Sequence, residues 1–180
     1  MFGDQTDSDG DGLGDDRKGL DTVPGVAGYC DPDSGDDDGD GLPDDLVETM
    51  RASAGGVGIS APQVGALRRI IVVDVSAHKR GGQEENHGLM VLLNPEILAK
   101  GGRQVVREGC MSIPDYTANI ERAQWVLVDA QDRTGKQVIL ESVGFEAVAI
   151  QHEVDHLDGI LFLDRVTSAK TDLFRRKKYR

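Results

Sequence analysis

The segment His152-Glu-Val-Asp-His156 has residue types and a spacing suited to metal chemistry. On a helix, side chains four apart share one face, so both imidazoles can reach a single ion. Glu153 is rotated by about 100° from His152, which lets it meet a water beside the ion without being a ligand. A bound metal lowers the pKa of water toward ~7. A nearby carboxylate can then take the proton and pass it to a leaving nitrogen. The plainer alternative is two surface histidines among helix-favouring acids. Two histidines do not complete a hydrolytic site, which ordinarily has three protein ligands and an open position. Downstream carboxylates and upstream residues are both candidates for the third. Cys110 stands out, being the sole cysteine after residue 30 and following Glu108-Gly109. A thiolate suits zinc or ferrous iron, whereas a buried structural cysteine is the plainer alternative. A third stretch, Gly56-Val-Gly-Ile-Ser-Ala-Pro-Gln63, combines glycines that admit close backbone approach with an amide N–H in Gln63 suited to a developing oxyanion. It is not a phosphate loop, since no Gly-Lys-Ser/Thr follows.

These groups need elements to hold them. Phe145, Val148, Ala149, Ile150 and Leu157 give the His-Glu segment an apolar helical face, and Gly159 stops that helix. Asp44 or Asp45 is expected to cap a short helix over Leu46, Val47 and Met50, ended by Gly55-Gly56. Strands are expected at Arg69–Val75, at Leu89–Leu93 (ended by Asn94-Pro95), and at Arg103–Glu108 leading into Cys110. One long strand is expected over Asn119–Ala130, then a turn at Thr134-Gly135 and a strand over Lys136–Glu141. The order reads as an α+β fold, with antiparallel strands around a central metal-binding helix.

The charge is unevenly spread. The chain of 180 residues has a formal net charge of -12, yet residues 1–48 hold 16 of the 32 acids and two of the 20 bases. The remainder is nearly neutral and globular in composition. Two domains are therefore expected: an acidic segment over 1–43, disordered or calcium-binding, and a catalytic domain over 44–180. Within the first, Asp7-Ser-Asp-Gly-Asp-Gly recurs as Asp36-Asp-Asp-Gly-Asp-Gly. Asp7, Asp9, Asp11 and Gly12, like Asp36, Asp38, Asp40 and Gly41, match the first six positions of a calcium loop, and Asp15 and Asp44 the ninth. Lys18 and Val47 occupy the twelfth, where an EF-hand needs glutamate. The pattern resembles thrombospondin type 3 calcium repeats, which makes Ca2+ a candidate ligand. No apolar run approaches the ~18 residues of a membrane span, and no secretory leader pattern is present, so a cytoplasmic location is expected. Two cysteines, Cys30 and Cys110, show no disulfide framework. The basic end, Arg175 to Arg180, suits ribosomal RNA by charge, or is simply a solvated helix end.

Taken together, GVGISAPQ, EGCMS and QHEVDHLDG resemble, in order and near-spacing, the three signature motifs of the peptide deformylase family. The resemblance covers about Asp44 to Val166, and RRIIVVDV, LLNPEIL and GILFLDR fit between the motifs. It implies removal of the formyl group from the N-terminal formylmethionine of nascent polypeptides. It implies a divalent metal, natively Fe2+ in many members with Zn2+, Ni2+ or Co2+ as alternatives, on Cys110, His152 and His156. Glu153 would be the acid/base. Gln63 and the backbone N–H of Met111 would polarise the formyl oxygen. Gly56, Val57, Gly58 and Gly109 would line the peptide backbone, and Val57, Phe145, Val148 and Ala149 the methionine side chain. Some members dock on the ribosome through the C-terminal segment. Two positions depart from the family pattern: Ser60 replaces a common alanine, and Thr117 stands where some members have a peptide-contacting arginine. The acidic front also replaces the usual N-terminal strand. A rival reading is a catalytically silent deformylase-like domain acting as a calcium-dependent interaction module.

Overall fold

The computed structural model describes residues 41–176. The acidic repeat up to Asp40, Cys30 and the last four basic-end residues lie outside the described residues, and the calcium expectation lies largely with them.

Helix α1 spans Leu42–Ala52. Its N-cap is Gly41 in the left-handed region (φ 67°), with no side-chain cap. The expected cap by Asp44 or Asp45 is therefore corrected. Pro43 is tolerated in the first turn, where its missing N–H has no partner to lose, and the helix starts earlier. Both aspartates fall in the first turn, where negative charge meets the positive end of the helix dipole. The helix ends at Ala52, ahead of Gly55-Gly56.

Among the described residues, eight strands follow: β1 Gly58–Ser60, β2 Ile70–Val73, β3 Met90–Gly101, β4 Gln104–Cys110, β5 Ile113–Arg122, β6 Trp125–Gln131, β7 Gln137–Val143 and β8 Leu173–Arg175. They form two antiparallel sheets, a larger one ordered β1-β2-β3-β6-β7 and a smaller one ordered β4-β5-β8. Side-chain alternation along β2 and β3 divides the core of the larger sheet. Ile70, Val72, Val91 and Leu93 point to α1, joining Leu46, Val47 and Met50. Ile71, Val73, Met90 and Leu92 point the other way, joining Ala147, Ile150 and Val154 of α2, Gly144–Leu157. Because the strand period is two, a run of consecutive apolar residues can serve both faces. The expected picture of strands wrapped around one central helix is corrected accordingly: α2 lies late in the chain against one face of a sheet, and α1 covers the other.

Two expected boundaries also differ. Asn94-Pro95 does not end β3, because Asn94 takes φ 49° and the register slips between Leu93 and Glu96. Asparagine tolerates this conformation, and a bulge accommodates a proline that cannot donate to the ladder. The single strand expected over Asn119–Ala130 is two strands in different sheets, parted at Ala123-Gln124. Gln151 of α2 holds this crossing point: its Oε1 accepts from the Ala123 N–H (3.1 Å) and its Nε2 donates to the Ala123 carbonyl (3.1 Å). Phe174 and Arg175 belong to β8 rather than to a helix end. The turn at Thr134-Gly135 is present, with Gly135 at φ 77°.

Helix α2 has no cap from its own N-cap residue, Val143. Instead Glu84, from the loop before β3, accepts the Phe145 N–H at 2.6 Å. Every residue from Glu146 to His156 is buried, which is unusual for a stretch so rich in ionisable groups.

Candidate metal centre and substrate cleft

Burying ionisable groups is costly unless they are paired. The sequence positions His152, Glu153, Asp155 and His156 on consecutive turns of α2, so partners must come from elsewhere. They come from the smaller sheet. Cys110 closes β4, and its Sγ lies 3.2 Å from His156 Nε2. One ligand atom from each of Cys110, His152 and His156 falls within 4.8 Å of the others. His152 Nδ1 meets Glu108 Oε2 at 2.9 Å, which orients the ring so that Nε2 remains for the cluster. Burial opposes charge on the Cys110 thiol, but hydrogen bonds from His152 and His156 outweigh it and bring the thiol down to about 5. Burial likewise opposes charge on His152. Its bonds to Cys110 and Glu108, with the nearby Glu153 charge, still lift it to about 10. A thiolate suits zinc or iron, and an ion bound here would displace the extra proton of His152, so the set fits a divalent ion.

Glu153 is next to this trio and 4% exposed. Burial raises its carboxyl to about 7 against the pull of His152 and His156. Its Oε2 is buried with no hydrogen-bond partner among the described residues. An unmatched buried carboxylate oxygen is expensive, and it marks where a water or substrate proton would arrive. Gly58 makes room for it, since a β-carbon there would sit 2.6 Å from Glu153 Oε1.

Gln63 sits in a short 3-10 turn, Ala61–Val64. Its Oε1 accepts from the Ser60 N–H and Ser60 Oγ, both at 2.9 Å. That fixes the amide so that Nε2 faces the cluster, 3.5 Å from Cys110 Sγ and 3.1 Å from Ser112 Oγ. Ser60, the departure from alanine, thus has a positioning contact of its own. A cleft of about 280 Å³ opens over the trio. Its lining includes Gly56, Val57, Gly58, Gln63, Gly109, Cys110, Met111, Phe145, Val148, Ala149, His152 and Glu153. Of the residues expected to hold the metal, catalyse or line the peptide, His156 alone is absent from that lining; it is 7% exposed.

Several contributors were missed. His78 lines the cleft and stacks on Phe145 with ring centroids 4.4 Å apart. Arg107 and Arg176 line its mouth. Behind the trio runs a buried ion chain. Arg122 donates to Glu108 (2.7 and 2.9 Å) and to Asp155 (2.5 Å), and Arg165 donates to both oxygens of Asp155. Glu108 and Asp155 lay inside the motifs and offered a signal, as acids beside metal-ligand candidates. Arg122 offered none, because its role depends on pairing across β4, β5 and α2; Arg165 ends the GILFLDR stretch, but nothing local marks it as a partner of Asp155.

Comparison with known proteins agrees with this geometry. Residues 30–172 match the family model described as polypeptide deformylase. The peptide deformylase of Thermodesulfovibrio yellowstonii is 46% identical over 133 residues, covering 74% of this chain and 77% of that protein. The peptide deformylase of Heliobacterium modesticaldum is 50% identical over 122 residues, covering 68% and 74%. Among solved structures, a Met-Ala-Ser-bound class I type b peptide deformylase from Acinetobacter baumannii superposes with a TM-score of 0.70. It is 36% identical, with 78% of this chain and 88% of that chain covered.

Proposed function

The chain belongs to the peptide deformylase family, and we infer from its cleft that it hydrolyses the N-formyl group from the N-terminal formylmethionine of nascent polypeptides. The observation that carries this is Glu153: a buried carboxylate with an unmatched oxygen, beside a Cys110–His152–His156 trio whose thiol the Gln63 amide approaches.

Each residue has a role in this reading. Val57, Phe145, Val148 and Ala149 receive the methionine side chain, while Gly56, Gly58 and Gly109 let the peptide backbone lie close. The Gln63 amide and the Met111 backbone N–H point donors at the formyl oxygen, where negative charge grows as the carbonyl is attacked. Glu153 takes a proton from the attacking water and returns it to the departing amine, so that formate and a free amino terminus result. Cys110, His152 and His156 would hold the divalent ion, which supplies Lewis acidity near neutral pH. Fe2+ is the proposed native ion, and Zn2+, Ni2+ and Co2+ suit the same donors. Glu108, Arg122 and Asp155 keep the trio in place.

The formylated substrate arises at the ribosome, which favours a cytoplasmic site of action. Among the described residues no helix is long and apolar enough to cross a membrane. Ribosome contact through the basic C-terminal end is proposed on charge alone. The rival reading, a silent interaction module, is not favoured by relatives 40–50% identical that are named as deformylases. A calcium-binding role for the acidic segment rests on its ligand spacing alone, and Asp44 at its end is engaged by Arg133 at 3.0 Å.

The test is turnover of a formyl-Met peptide by protein prepared without oxygen and loaded with Fe2+ or Ni2+. Glu153→Ala should lose about 10²–10⁴-fold in kcat with its metal content retained. Absence of turnover by folded, metal-loaded wild type would sink the reading.

A further inference from the structure

The cleft changes sign between floor and mouth. Glu108 and Glu153 lie at the floor, whereas Arg107 and Arg176 stand at the mouth. Strand alternation separates the neighbours on β4: Glu108 turns inward to Arg122 and His152, and Arg107 turns outward. Arg176 follows β8, and its N–H donates to the Asp115 carbonyl at 2.8 Å, extending the pairing with β5. Its guanidinium lies over Gly109, so close that a β-carbon there would overlap it. Arg107 lies flat on the Phe174 ring, 3.4 Å from the centroid, and donates to Thr117 Oγ1 at 3.4 Å.

Among the described residues, Arg107 and Arg176 have no counter-charge, which is true also of the exposed Arg51 and Arg175; what sets these two apart is that both line the cleft. Arg69, Arg80, Arg103, Arg122, Arg133 and Arg165 each pair with a carboxylate. Among the described residues, neither Arg107 nor Arg176 forms an ion pair. Two like charges at one opening repel each other, and both are relieved by one anion that enters it. Stacking on Phe174 restrains the Arg107 plane, which reduces the entropy lost on accepting a bidentate partner. The formyl end of a substrate occupies the floor, so the rest of the peptide must leave through this mouth.

We propose that Arg107 and Arg176 form a carboxylate-accepting subsite that favours formyl-Met peptides with an acidic group in the residues following methionine. This rests on the deformylase reading. On a nascent chain the carboxylate is an Asp or Glu side chain. On a short free peptide it can also be the C-terminus, and C-terminal amidation separates the two.

The experiment compares amidated formyl-Met-Glu and formyl-Met-Gln peptides, with the same residues also placed one position later. The non-amidated forms are run alongside, and binding of the matching deformylated peptides is measured by calorimetry. At low salt, kcat/KM should favour the glutamate peptide by about five- to tenfold, and the ratio should shrink as salt screens it. Arg176→Gln should bring the ratio near one, and Arg176→Glu should turn it toward a lysine-bearing peptide. Arg107→Lys keeps the charge and loses the stacking, so it should keep part of the preference. A ratio near one in active wild type at both positions overturns the subsite while deformylation stands, and so does a preference confined to non-amidated peptides. If no peptide turns over, calorimetry still decides: tighter acidic peptides weakened by Arg176→Gln support the subsite, and equal affinities overturn it.

Discussion

The two faces of the larger sheet use opposite means to hold a helix. On one face, Leu46, Val47 and Met50 of α1 meet Ile70, Val72, Val91 and Leu93, all apolar. On the other, α2 buries Glu146, His152, Glu153, Asp155 and His156 along with its apolar residues. The first face needs only the removal of apolar surface from water, about 25 cal/mol per Å². The second needs partners for its charges, supplied by Arg122, Glu108, Arg165 and, for Glu146, the His87 N–H (2.7 Å) and Ser142 Oγ (2.8 Å), with one oxygen of Glu153 left unmatched. Function accounts for the difference. A helix face that presents two imidazoles and a carboxylate to a cleft, opposite the thiol of β4, cannot be filled with aliphatic side chains.

The sharpest way to break this contrast is Arg122→Met. Arg122 has 3% of its side chain exposed and serves both Glu108 and Asp155. Its loss leaves two buried carboxylates without their shared cation, and about 3–5 kcal/mol of stability should go. Denaturant unfolding of the metal-free protein checks the value. A loss below 1 kcal/mol would show that Arg165 and water compensate. Leu46→Ala on the other face should cost about 3 kcal/mol through its cavity. It should leave metal affinity untouched, and a weakened metal site in this variant would contradict the independence of the two faces.

Glu108→Gln sharpens the contrast from the metal side. It removes the carboxylate that orients His152 while keeping the shape. Metal affinity should fall about 10–100-fold, read by competition with a chelator, with α1 packing unaltered. Unchanged affinity would reduce Glu108 to a partner of Arg122 alone.

The same contrast explains what could be read from sequence. The shared helix face of His152 and His156 could be read from their spacing, whereas Cys110 was assigned as a ligand only through the resemblance of EGCMS to a family motif; the structure brings the three together. Helix α2 was legible from the apolar residues around that segment. β2 was legible because Ile70–Val73 is unbroken. What was not legible depended on pairing at a distance. The break at Ala123-Gln124 carries no local turn residue, and Gln151 holds it from α2. The bulge at Asn94-Pro95 looks like a strand end when its partner, β6, is unseen. Arg122 reads as one strand arginine among several until Glu108 and Asp155 are placed around it.

Asp44→Ala is the smallest perturbation, and it tests whether charge matters on the apolar face at all. Arg133 Nη2 reaches Asp44 Oδ1 at 3.0 Å, but the two side chains are 49% and 69% exposed. Water and salt screen such a pair, and its net worth is roughly 0–1 kcal/mol. Asp44 also lies in the first turn of α1, where the helix dipole adds a few tenths. The expected outcome is a loss under about 1 kcal/mol that fades in 1 M salt. A loss of several kcal/mol, insensitive to salt, would mean that α1 depends on a specific ion pair much as α2 does. The division between a face held by burial and a face held by charge would then fail.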